Sequence, residues 1–139
     1  YCLGDFGFGD REPLQKVFDR LSGRKHLVRG NHDKEARKLR GWQWVKEYHE
    51  MKIDTDFLVL FHYAPRVWNK SHHGSIALFG HSHGTMPGNS QSLDVGADCW
   101  DFTPVTVQQF KARLATLPTF TGYREQAGGS DYHSDGRDL

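Results

Sequence analysis

The sequence predicts an α/β fold in a single domain. Short apolar runs of the kind found in buried strands recur along the chain, and each is followed by a turn rich in glycine and polar residues. Two other segments repeat their apolar residues with helical spacing. With 139 residues, the chain is long enough for one domain with a hydrophobic core and too short for two.

The strands are predicted at the apolar runs 1–3, 25–29, 57–62, 76–79 and 92–96. Residues 51–53 turn at 54–56 into the third of these runs, which indicates a hairpin. The segment 42–48 is a mixed apolar stretch in which the tryptophans are expected to pack in the core.

Three helices are predicted. The first follows Asp10, its expected N-cap, and its apolar stripe is formed by Leu14, Val17, Phe18 and Leu21. A short basic helix is expected over residues 34–40. The last begins near Pro104, and its shared apolar face comprises Val107, Phe110, Leu114 and Leu117.

Side chains that bind metal ions follow four of the predicted strands. They are Asp5, Asn31, His62 and the pair His81 and His83. Any one of them is explained as well by an ordinary polar turn, but four in succession favour a shared site where the strand ends meet. Mixed nitrogen and oxygen ligands suit Mn, Fe, Zn or Ni, and a bridging carboxylate such as that of Asp5 can hold two such ions about 3.5–4 Å apart.

The ordered motifs Gly4-Asp5, Gly30-Asn31-His32-Asp33, His62 and Gly80-His81-Ser82-His83 resemble those of the calcineurin-like metallophosphoesterases. The resemblance extends over about residues 1–107. It implies two facing mixed β-sheets flanked by helices, an α/β/β/α arrangement. The implied activity is hydrolysis of a phosphate mono- or diester by a metal-bound hydroxide.

The resemblance also implies a role for each site residue. Asp5 would bridge two divalent metal ions, His83 would join the first site, and the second site would be completed by Asn31, His62 and His81. His32 would contact the phosphate and protonate the leaving oxygen. Asp33 would hold the ring of His32 in orientation, as carboxylates often do for catalytic histidines.

The first motif of that family, Asp-x-His, does not precede Gly4-Asp5. We therefore predict a domain without its first β–α unit, which binds one metal ion well and the second poorly, with reduced hydrolysis. Asp131 and His133 have the Asp-x-His spacing, so a circular permutation is an alternative. Residues 125–129 before them lack the apolar strand that should carry the motif.

The composition of the chain limits the classes of substrate and partner that we expect it to bind. With 18 basic and 17 acidic residues, the chain has no charge excess that would attract a long polyanion, which favours a small phosphorylated substrate or a nucleotide over nucleic acid. No membrane-spanning run and no disulfide framework are visible, so we predict a cytoplasmic protein. The domain is predicted at residues 1–117, with a polar disordered tail at 118–139.

The sequence is also compatible with a function of another class. The same residues would suit a non-catalytic metallophosphoesterase-like domain that uses its metal site as an interaction scaffold. His32 and Asp33 favour the enzyme, because a scaffold has no need of an acid for a leaving group. Alanine in place of His32 separates the two functions.

Overall fold

The computed structural model describes residues 1–122 and confirms the α/β fold. This part of the chain contains two helices, α1 (Arg11–Arg20) and α2 (Val107–Leu114). Its six strands are β1 (Lys25–Val28), β2 (Trp42–Lys46), β3 (Tyr48–Ile53), β4 (Asp56–Phe61), β5 (Ile76–Phe79) and β6 (Ser92–Asp94). Single 3₁₀ turns lie at Ala36–Lys38, Ser71–His73 and Ala97–Cys99.

The strands form two small sheets. In the first, β1 pairs in parallel with β2, and Cys2 forms an isolated parallel bridge to Leu27 on the other side of β1. The second sheet has the order β3-β4-β5-β6, in which the β3–β4 hairpin is antiparallel and the two other pairings are parallel. The hairpin predicted around residues 54–56 is therefore confirmed. The parallel pairings leave the ends of β4, β5 and β6 at one edge of their sheet.

The main core joins the two sheets. Val28 of β1 packs in one cluster with Leu58, Leu60 and Leu78 of the larger sheet. Phe110 and Leu114 of α2 belong to the same cluster, as the shared helical face predicts. Burying side chains of this size stabilises the fold by about 1.5–3 kcal/mol each.

Helix α1 packs against the segment around the 3₁₀ turn Ala36–Lys38, in a second hydrophobic cluster that includes Ala36 and Leu39. Leu14 and Phe18 are buried there, but Val17 and Leu21 are exposed, so only half of the predicted apolar stripe is core. Val17 and Leu21 do not belong to the second cluster, whose buried residues outside the helix are Ala36 and Leu39. Asp10 occupies the N-cap position as predicted, although its side chain forms no capping hydrogen bond.

The basic helix expected over residues 34–40 is reduced to the 3₁₀ turn Ala36–Lys38. Leu39 is already extended, with ψ 142°, and Gly41 follows with φ +108°. The segment is too short to form a stable helix without packing, and packing here requires only Ala36 and Leu39 to be buried. The mixed segment that begins at Trp42 is the strand β2, paired with β1.

The end of the described chain remains in contact with the domain. The backbone oxygen of Pro118 accepts a hydrogen bond from the Ser90 amide at 2.8 Å, and the Phe120 ring packs on Trp68 at 4.9 Å. The rest of the predicted tail, with Asp131 and His133, lies outside the described residues. Among those that are described, no helix is long and apolar enough to cross a membrane.

Candidate metal centre

Three predicted ligands meet where the strands end. Asp5 follows the segment bridged to β1, His62 follows β4, and His81 follows β5. Each offers a ligand atom, and these atoms all lie within 4.8 Å of one another, so the three residues form a group that could hold a metal ion. The fourth strand-end residue, Asn31, joins them, since its Oδ1 lies 2.9 Å from Nε2 of His62.

The environment of His62 fits a cation. The ring is fully buried, and its Nδ1 lies 2.7 Å from the backbone oxygen of Leu3, which can only accept, so Nδ1 carries a proton. Nε2 then points at two oxygens, Asn31 Oδ1 and, at 3.5 Å, Asp5 Oδ2. In the neutral ring, the Nε2 lone pair would face two acceptors in a buried place, which is unfavourable, and a metal ion between them would satisfy all three atoms.

Asp33 organises the site through the backbone. Its carboxylate is fully buried, and Oδ2 accepts hydrogen bonds from the amides of Gly30 at 2.7 Å and Asp5 at 2.8 Å. Oδ1 accepts a third bond, from the amide of Phe6 at 2.8 Å. Both oxygens are thus engaged by the turns that carry Asp5 and Asn31.

The expected contact between Asp33 and His32 is therefore not formed in this structure. Adjacent side chains in a turn point in different directions, and here the carboxylate points inward while His32 is exposed. The His32 amide donates to Asp5 Oδ1 at 2.9 Å, and the ring packs on Phe8 with the centroids 4.7 Å apart. His32, the residue predicted to contact the phosphate, thus lies beside the candidate metal ligands, with its side chain open to solvent.

The turns that carry Asp5 and Asn31 approach each other so closely that Gly4 and Gly30 leave no room for a side chain. A Cβ on Gly30 would lie 2.3 Å from Asp5 Oδ1, and one on Gly4 would lie 2.2 Å from Nδ1 of His62. Both distances are far below normal contact. Three of the predicted ligands also have left-handed backbones, with φ of 55° at Asp5, 63° at His81 and 48° at His83. Such conformations cost of order 1–3 kcal/mol each and are concentrated at functional sites.

His83 lines the same cavity as Asp5 and His81, a groove of about 1070 Å³, but the three-residue cluster does not include it. Its ring is exposed, and Nδ1 forms a short contact with a carboxylate oxygen of Asp98. The hydrogen bond that His83 donates to Asp98, followed by the negative charge of that carboxylate, raises the pKa of His83. The same hydrogen bond lowers the pKa of Asp98.

Sequence reasoning missed three residues at the site. The ring of Tyr63 contacts both His62, at 4.8 Å, and His81, at 4.7 Å. Asp94 is buried at the end of β6, where it accepts from Ser82 Oγ and the Gly84 amide. Asp94 had the same signal as the predicted ligands, a carboxylate at a strand end. No comparable sequence pattern marks Tyr63 or Asp98.

Comparisons of the chain with models of known protein families, with curated proteins and with solved structures find no match.

Proposed function

We propose that the chain is a metal-dependent phosphoesterase that hydrolyses a phosphate mono- or diester. The observation that carries the proposal is the convergence of Asp5, His62 and His81, with the Asn31 oxygen beside them, at the ends of separate chain segments. Residues so far apart in sequence come together at a cost in backbone strain and in close glycine contacts. A function that needs their side chains explains that cost.

Asp5, Asn31, His62 and His81 would hold one divalent ion through mixed oxygen and nitrogen ligands. When bound, such ions supply positive charge to the phosphoryl oxygens and activate a water for attack. The hydrogen bond that His62 Nδ1 donates to Leu3 O keeps Nε2 available as the coordinating atom. Tyr63 packs on two of the ligand rings and limits their rotation.

A second ion is supported by the remaining ligands. Oδ2 of Asp5 lies 3.5 Å from Nε2 of His62, while Oδ1 accepts a hydrogen bond from the His32 amide at 2.9 Å, so the two oxygens have different partners. The carboxylate therefore has oxygens facing two directions, as a bridging ligand needs. His83 would hold the second ion together with Asp5. Two described protein ligands are few for a tight site, so we expect the second ion to bind more weakly than the first.

His32 is the residue we assign to the leaving group. Its amide bond to Asp5 fixes the backbone next to the metal cluster, and its exposed ring is free to meet a substrate from solvent. An imidazole proton given to the leaving oxygen would accelerate the step by about 10²–10⁴-fold. The near-neutral charge of the chain favours a small phosphorylated substrate or nucleotide.

The test compares three proteins loaded with Mn²⁺: the wild type, His32→Ala and the control His72→Ala. His72 is an exposed histidine of the 3₁₀ turn Ser71–His73, and its ring packs on His73. Hydrolysis of an aryl phosphate monoester and an aryl phosphodiester is measured together with bound manganese. We expect turnover in the wild type and in His72→Ala. His32→Ala should keep the metal and lose about 10²-fold or more in turnover.

Two outcomes would contradict the proposal. A wild-type protein that binds Mn²⁺ but hydrolyses neither ester would support the scaffold function instead. Equal turnover in the wild type and His32→Ala would remove His32 from the chemistry.

A further inference from the structure

The contact between His83 and Asp98 joins two segments that the sequence gives no reason to associate. His83 lies in the turn after β5, and Asp98 lies in the 3₁₀ turn Ala97–Cys99, after β6. The Asp98 carboxylate meets Nδ1 of the imidazole, and both side chains line the groove that contains Asp5. The other ring nitrogen, Nε2, is left without that partner.

Asp94 holds both segments in place. Its Oδ2 accepts hydrogen bonds from Ser82 Oγ and the Gly84 amide, the neighbours of His83 on either side. Its backbone oxygen accepts the indole N–H of Trp100 at 3.1 Å, which ties down the turn that carries Asp98. Because one buried residue anchors both turns, the backbones that carry His83 and Asp98 are held close to each other.

We propose that Asp98 is a positioning residue that fixes the tautomer and orientation of His83, so that Nε2 is the nitrogen that binds the second metal ion. The inference rests on the proposed metal site and goes beyond it by assigning a residue outside the recognised motifs. A neutral imidazole has one donor and one acceptor nitrogen. A carboxylate only accepts, so the nitrogen it contacts must carry the proton, and the lone pair is on Nε2.

Metal-binding histidines commonly donate their second N–H to a carboxylate or a carbonyl, and His62 already does so toward Leu3 O. Asp98 gives His83 the equivalent partner. A ligand held in this way has less freedom to lose on coordination. This matters most for the second ion, whose other described protein ligand is Asp5.

The first test reads the tautomer directly. Long-range ¹H–¹⁵N NMR correlations of the metal-free protein, at a pH high enough for neutral rings, are recorded for the wild type, Asp98→Ala and Cys99→Ala. His83→Gln assigns the signal. Cys99 lies in the same turn, so its variant controls for disturbance of that turn. We expect the Nδ1–H form in the wild type and in Cys99→Ala, and the Nε2–H form in Asp98→Ala.

The second test measures affinity for Mn²⁺ by calorimetric titration. Asp98→Ala should lower the affinity for the second ion by about 10–100-fold and leave the affinity for the first ion unchanged. In a His83→Ala background, the Asp98→Ala change should have no further effect, because the carboxylate acts through the imidazole.

Three results would overturn the inference: the Nε2–H form in the wild type, unchanged binding of the second ion in Asp98→Ala, or an undiminished effect in the His83→Ala background. A wild type that binds a single Mn²⁺ would also overturn it. Failure of the proposed function is distinguishable, because a protein that binds two ions without hydrolysis refutes the phosphoesterase and leaves the role of Asp98 intact.

Discussion

Asparagine in place of Asp33 separates a structural role of this residue from a catalytic one. In the structure, the carboxylate accepts three backbone hydrogen bonds and forms none with His32 in the described part of the chain. The side chain of asparagine has the same shape but only one acceptor oxygen. In its better orientation, the amide keeps the bonds to Asp5 and Gly30 and turns an N–H₂ group toward the N–H of Phe6.

The expected loss of stability in Asp33→Asn can be estimated from these three hydrogen bonds. One charge-assisted hydrogen bond, worth about 1.5–3 kcal/mol, is lost and leaves a donor unpaired. The other two become neutral and weaken by roughly 0.5–1 kcal/mol each. Relief from burying a charge offsets part of the loss, so we expect Asp33→Asn to lower the free energy of unfolding by about 2–4 kcal/mol. For a domain of this size, that corresponds to a melting temperature lower by roughly 10 °C.

Thermal unfolding in the presence of EDTA is the appropriate assay, because it removes any contribution from bound metal. Asp10→Asn is the matched control, since Asp10 is exposed and its side chain forms no capping hydrogen bond. Its melting temperature should stay within about 1–2 °C of the wild type. If Asp33→Asn also unfolds within that interval, and loses turnover while it keeps Mn²⁺, then Asp33 serves His32 and the structural account is wrong.

Three further predictions concern packing, pH and metal binding. Gly30→Ala should abolish Mn²⁺ binding and lower stability in denaturant titrations, because its Cβ would meet Asp5 Oδ1 at 2.3 Å. Gly9→Ala is the control: Gly9 has open space around it but φ +94°, so this change should lower the free energy of unfolding by only about 1–2 kcal/mol. His26 and His49 should make stability fall as the pH drops through the ordinary histidine pKa of 6.5, since burial lowers the pKa of both rings and the unfolded chain then binds more protons. The raised pKa of His83 acts in the opposite direction. A variant with glutamine at both positions should unfold with a flatter pH profile, and an unchanged profile would exclude these rings as the cause. Finally, Mn²⁺ at 100 times its dissociation constant should stabilise the wild type by about 2.7 kcal/mol in thermal unfolding, and His62→Ala should show no such gain.

The strand ends were predictable because two independent patterns coincide there. A continuous apolar run such as residues 57–61 indicates a buried strand, and the polar residue that follows must lie at the edge of the sheet. This reasoning led to Asp5, His62 and His81, which the structure brings together. Asp94, buried at the end of β6, has the same position relative to its strand and is predictable in the same way.

The rest of the site depends on contacts that sequence periodicity does not encode. Asp33 and His32 are neighbours in the chain, and only the fold shows that one side chain is buried against three amides while the other is exposed. The contact of Asp98 with His83 depends on how two turns are anchored by Asp94. Likewise, the single turn at Ala36–Lys38 is set by which residues of that short segment are buried, and helical propensity does not decide it.

The central claim is that the strand ends form a metal site, and elemental analysis tests it most directly. The wild type and His62→Ala are incubated with Mn²⁺, desalted and analysed for manganese per chain, with circular dichroism to verify that both are folded. We predict at least one retained manganese per chain in the wild type and a large loss in His62→Ala. A folded wild type that retains none, or a His62→Ala variant that retains as much as the wild type, would contradict the account.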